Sequence, residues 1–100
     1  MGDFEQIDVH AVREMLDKNE VTIVDIRDDA SFQQAHIPMA ISLNEQNIKD
    51  FIRETDKDKA VICYCYHGIS SQSAASFLKD QGFKNVYSMI GGFEQWRKNY

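Results

Sequence analysis

The sequence predicts a single three-layer α/β domain over residues 1–100, with about five mostly parallel strands and helices on both faces. Three observations carry this. Short β-branched runs alternate with stretches of helical period, the pattern of a parallel sheet covered by its own crossovers. The chain has 100 residues, 43% of them hydrophobic and 27% charged, enough to bury about two-thirds of the unfolded surface around one core. Its two cysteines, Cys63 and Cys65, stand one residue apart, which in a strand separates their Cα atoms by about 6–7 Å and argues against a disulfide staple.

Each element follows from local chemistry. Residues 4–8 read as a short first strand, and Asp8 or a neighbour then caps a helix whose Val12, Met15 and Leu16 fall at i, i+3 and i+4. Residues 21–26, VTIVDI, form the first strong strand. Asp28 is placed to cap a short helix running to about Ala35, and Ile37-Pro38 forces extended backbone before a short strand at 40–42. Residues 45–54 are amphipathic, with Ile48, Phe51 and Ile52 on one face. An apolar strand at 60–64 runs into a loop and then a helix starting near Ser70 or Ser71, its Ala74, Ala75 and Leu78 facing the core and Gly82 ending it. Residues 85–88 read as the last strand, Gly91-Gly92 as a turn, and FEQWRKN as a final helix with Phe93 and Trp96 as core aromatics.

Charge narrows the partners. Eleven Lys and Arg against 16 Asp and Glu leave a net charge of −5 with no basic patch along the chain, which argues against nucleic acid and anionic lipid. No apolar run of about 18 residues exists, and the opening MGDFEQIDVH is acidic where a signal peptide would be basic and then apolar, so a cytoplasmic location is expected.

Chemistry concentrates at Cys65. It stands where a strand exits toward a helix N-terminus, the edge at which open α/β sheets bind ligands. Free N–H groups and the positive end of the helix dipole favour an anion there, so the thiol is expected to ionise more readily than a free cysteine. Gly68 supplies the left-handed angles that let several N–H groups converge on one atom. The loop reads as a cradle for a small anion with a nucleophile at its floor.

The run Cys65-Tyr66-His67-Gly68-Ile69-Ser70-Ser71 resembles the active-site loop of the rhodanese sulfurtransferases. Val24-Asp25-Ile26-Arg27-Asp28, Ala35-His36-Ile37-Pro38-Met39-Ala40 and Gly91-Gly92-Phe93-Glu94-Gln95-Trp96 resemble further segments of that family in the same order, and the short length is similar to its single-domain, thiosulfate-using members. The resemblance implies a rhodanese-like domain and sulfur transfer from thiosulfate or another donor through a persulfide on Cys65. It implies cyanide or a thiol, such as that of thioredoxin, as acceptor, and no metal or organic cofactor. Tyr66, His67, Gly68, Ile69, Ser70 and Ser71 would form the substrate and persulfide loop, with Tyr66 and Ile69 acting through backbone N–H groups and rimming the pocket with their side chains. The family often carries Gly where this chain has Ala35 and Met39, and a cation where it has Gln72, which points to weaker thiosulfate binding.

Blander roles stand beside these. Cys63, two residues back in the strand, reads as core, with a resolving thiol as its alternative. His67 is either a donor to the sulfur site or a solvated loop residue, and Ser70 and Ser71 are helix caps as much as donors. Arg27, among carboxylates, reads as an ion-pair partner, and His36 as a turn residue. Three rival functions fit the residues less well. A cysteine phosphatase needs a guanidinium six residues after the cysteine, where this chain has Ser71. A zinc site built from Cys63, Cys65 and His67 lacks a fourth ligand nearby. A non-catalytic binding module has no use for the cysteine.

Overall fold

A computed structural model describes residues 3–100; Met1 and Gly2, which the sequence reading counted in the domain and in the acidic opening segment, lie outside the described residues. The elements run β1 (Glu5–Ile7), α1 (Val9–Asp17), β2 (Val21–Asp25), α2 (Asp29–Gln34), β3 (Ile41–Ser42), α3 (Ile48–Glu54), β4 (Ala60–Tyr64), α4 (Ser70–Asp80), β5 (Val86–Met89) and α5 (Gly92–Asn99). The strands form one sheet in the order β1-β5-β4-β2-β3, and every pairing is parallel.

Two of the expected caps form as read. The Asp8 carboxylate accepts the N–H of Ala11, and Asp28 accepts the N–H of Ser31, so each satisfies one orphan donor of its helix. Gly82, with φ of +103°, follows the end of α4. The helix expected at 45–54 begins only at Ile48. Asn44 Oδ1 accepts the N–H groups of Gln46 and Asn47 while Asn47 Oδ1 accepts that of Asn44, a reciprocal side-chain turn that precedes the helix. Ser70 and Ser71 do not cap α4: they are its first two residues, and the cap position falls to Ile69, which makes no side-chain cap bond.

Alternation along the strands divides the core. Ile23, Ile62 and Tyr64 pack with Val9 and Val12 of α1 and Trp96 of α5 on one face. Val24, Val61 and Cys63 pack with Phe51 of α3 and Ala75 and Leu78 of α4 on the other. Truncating a fully buried side chain such as Leu78 to Ala costs about 2–5 kcal/mol in a core of this kind.

The topology also places the site. From β2 the chain moves outward to β3, and from β4 it moves the opposite way to β5, so the carboxyl ends of these two neighbouring strands form the crevice of a switch point. Cys65 follows β4 there. Arg27 follows β2, its guanidinium gripping the Asp25 carboxylate at 2.8–3.1 Å and donating to the Ala35 carbonyl. Both charges are buried, so removing one partner would leave the other unpaired at a cost of about 3–5 kcal/mol.

Candidate active site

The loop from Cys65 to Ser71 is shaped by backbone contacts with the turn after β5. Gly68 has φ of +86°, and a Cβ built there would lie 2.8 Å from the Gly91 nitrogen and 3.0 Å from the Met89 carbonyl oxygen. A Cβ on Gly92 would lie 2.5 Å from the carbonyl oxygens of Cys65 and Tyr66. This closeness lets the first amides of α5 take those carbonyls: Phe93 N–H donates to Cys65 O at 2.8 Å and Glu94 N–H to Tyr66 O at 3.0 Å. With those two oxygens held outward, the loop turns its N–H groups toward the sulfur.

Cys65 Sγ accepts from the N–H of Gly68 at 3.1 Å and from that of Ser71 at 3.3 Å. Ser71 Oγ lies 3.4 Å from the same sulfur and 2.7 Å from Ser88 Oγ, inside the protein. When the thiol loses its proton, Ser71 can turn its O–H onto the sulfur while Ser88 donates to Ser71, a short relay aimed at negative charge. Burial pushes the Cys65 pKa up, but the Ser71 hydroxyl and the N–H groups of Ser71, Gly68 and His67 outweigh it, and the net shift is downward.

The remaining expected residues divide. Tyr66, His67, Ile69 and Ser70 line the mouth of a cavity of about 270 Å³ with Cys65 at its base. The donors to the sulfur come from Gly68 and Ser71, with the His67 N–H also acting on it, while Tyr66 and Ile69 present their side chains to the mouth. Tyr66 hydrogen-bonds through its hydroxyl to the Asp28 carboxylate and Ser31, tying the loop to the start of α2. That hydroxyl and Ser31 hold the Asp28 pKa down to about 2. Arg27 stays in its ion pair, and His36 stacks on Phe32 and bonds its carbonyl. Gln72 donates its side-chain amide to the Gly68 carbonyl, bracing the loop. Cys63 is fully buried, its thiol pushed up to about 12 by burial and by its neighbour Cys65. Among the described residues no group of three or more His, Cys, Asp or Glu is arranged to hold a metal ion.

Sequence reasoning missed Ser88 and the amides of Phe93 and Glu94. Ser88 meets Ser71 only because β5 pairs with β4, and nothing local marks it. The Gly91-Gly92 pair was a visible signal, but of close approach as much as of a turn.

A parallel five-stranded sheet with a cysteine cupped by backbone amides at its switch point defines a class, and the comparisons agree. Residues 8–99 match the model of the rhodanese-like domain, and the chain belongs to that family. It is 48% identical to the thiosulfate sulfurtransferase GlpE of Pseudoalteromonas translucida, over 97% of this chain and 92% of the relative. It is 46% identical to the protein of the same name from Pseudomonas syringae, over 100% and 93%. Among solved structures, a rhodanese-related protein from Thermoplasma volcanium superposes with a TM-score of 0.82 at 22% identity, covering 97% of this chain and 95% of that one. A Rhodopseudomonas palustris protein described as a possible tyrosine phosphatase does so with a TM-score of 0.81 at 27% identity, covering 95% and 80%.

Proposed function

We propose that this protein is a thiosulfate sulfurtransferase in which Cys65 carries the sulfur as a persulfide. The names of its high-coverage relatives support the activity. The observation that supports the residue is the convergence of two backbone amides and the Ser71 hydroxyl on Cys65 Sγ.

The chemistry follows from that arrangement. The Cys65 thiolate attacks the sulfane sulfur of thiosulfate, a new S–S bond forms, and the old one breaks with its electron pair leaving on sulfite. The persulfide's outer sulfur bears the negative charge and rests among the same inward donors, which stabilise charge as it develops. An acceptor thiolate, or cyanide in an assay, then attacks that outer sulfur and releases the Cys65 thiolate. Tyr66, His67, Ile69 and Ser70 line the approach, and Gly68 and Ser71 hold the charge. A dithiol protein such as thioredoxin suits the second step, and a cytoplasmic setting suits a free thiol.

Intact mass spectrometry after thiosulfate treatment tests the mechanism. The expected result is a gain of one sulfur atom, lost on adding cyanide or dithiothreitol and absent in Cys65→Ser. No gain in the wild-type protein overturns it. Phosphatase chemistry is disfavoured because Ser71, not a guanidinium, holds the sixth position after Cys65 and bonds back to the sulfur. Hydrolysis of a phosphate ester above background would reverse that judgement.

A further inference from the structure

The segment that follows β2 touches the cysteine loop from the side. Arg27, fixed in its ion pair with Asp25, places its guanidinium 5.5 Å from the centre of the Tyr66 ring and 4.2 Å from that of Phe93. The next residue, Asp28, accepts the Tyr66 O–H, and Ser31 donates to the same carboxylate oxygen at 2.8 Å. Tyr66 is thus held at its ring and at its tip by consecutive residues, while Glu94 N–H takes its carbonyl at 3.0 Å. The planar peptide that carries this carbonyl carries the His67 N–H on its opposite side, so fixing residue 66 also aims that amide at Cys65 Sγ.

We propose that Asp28 is a positioning residue for sulfur transfer: by holding the Tyr66 hydroxyl it keeps the His67 N–H directed at the Cys65 sulfur. The proposal rests on Cys65 being the nucleophile. Asp28 does not line the cavity above the sulfur, and works through Tyr66, which does. The tyrosine hydroxyl and Ser31 hold the Asp28 pKa down to about 2, so the carboxylate accepts at every pH at which a thiol ionises. Without that bond the ring is free to turn and the 66–67 peptide to tilt. An N–H weakens steeply as a donor when its angle falls, so the thiolate loses part of its stabilisation and the thiol becomes less acidic. A carboxylate acting by its charge alone would do the reverse, because its removal would make the thiol more acidic. The sign of the shift therefore separates holding from repulsion.

The pH profile of iodoacetamide labelling at Cys65, read by mass spectrometry on the full chain, tests this. Asp28→Ser keeps a helix cap but is too short to reach the tyrosine hydroxyl. It and Tyr66→Phe are each expected to raise the labelling midpoint by about 0.5 pH unit, which cuts labelling at neutral pH about threefold. Asp28→Asn, whose amide oxygen still accepts the hydroxyl, is expected to lose less than Asp28→Ser. The double variant Asp28→Ser with Tyr66→Phe is expected to match Tyr66→Phe alone, because both changes remove one bond. Asp8→Ser, the same change at the cap of α1, is expected to leave the midpoint in place and so controls for the loss of a capping carboxylate. Midpoints that stay put or fall, single effects that add in the double variant, or an Asp28→Asn no closer to wild type than Asp28→Ser overturn the proposal. Thiosulfate treatment of the wild-type chain separates the two levels. If Cys65 gains a sulfur while the midpoints fail to move as expected, the positioning role falls and the persulfide reading stands; if it gains none, both fall.

Discussion

Cys63, inside β4, and Cys65, just past its end, stand one residue apart and are both buried, yet their thiols move in opposite directions. Cys63 packs among Val24, Leu43 and Phe51, where the neighbours have no donor to spare and burial drives its acidity down. Cys65 feels burial as well, but sits where β4 has ended and the backbone no longer spends its N–H groups on neighbouring strands. The difference lies in depth and in donors together: Cys63 is the more deeply buried, and only Cys65 has unspent amides to offset its burial. A sheet edge at a helix N-terminus is one of the few places in a fold where such amides are available.

The sharpest way to break this comparison is to exchange the nucleophile. Cys65→Ser is expected to cut sulfur transfer by about a thousandfold or more at an unchanged melting temperature, whereas retained turnover would show that Cys65 is dispensable. Next in size is Gly92→Ala. The added methyl group meets the carbonyls of Cys65 and Tyr66 at a position with φ of +61°, so a loss of about 2–4 kcal/mol in denaturant unfolding should accompany slower alkylation of Cys65. An alanine variant with wild-type stability would mean that the loop and the α5 turn do not define each other.

Ser71→Ala removes the hydroxyl from the sulfur but keeps the amide. We expect the thiol pKa to rise and transfer at neutral pH to fall about tenfold, with Ser88→Ala causing a smaller loss of about threefold through the relay. Equal effects, or none, would deny the relay. The pH profile of iodoacetamide labelling sharpens the contrast further. Because the folded pKa of Cys65 is lowered, its labelling should level off below the ordinary thiol range near pH 8.5, and its ionisation favours the folded state above that range, a contribution lost as pH falls through the folded value. Cys63 should stay unlabelled until the protein is denatured. The smallest effect is expected for Cys63→Ala, which should keep most of the activity and lose about 1–2 kcal/mol of stability through the small cavity it leaves.

What was legible in the sequence was what is local. Asp8 and Asp28 announce their helices because capping involves residues three apart, and Cys65 announces itself by following an apolar strand and preceding Gly68. The start of α3 was misplaced because Asn44 and Asn47, individually unremarkable, build a turn only together. Ser70 and Ser71 were misread as caps because the helix starts one residue earlier than a serine cap needs, and the use of the Ser71 hydroxyl is visible only with Ser88, 17 residues further on and in β5. Likewise the two glycines at 91 and 92 show that the chain bends there, but only the packed backbone shows that they bend against Cys65 and Tyr66.

The grip of Phe93 and Glu94 on the carbonyls of Cys65 and Tyr66 has a consequence for what keeps the protein reactive. The peptide planes that surround the sulfhydryl are held turned by α5, an element far along the chain from β4, so a nick near residue 92 is expected to slow alkylation of the thiol.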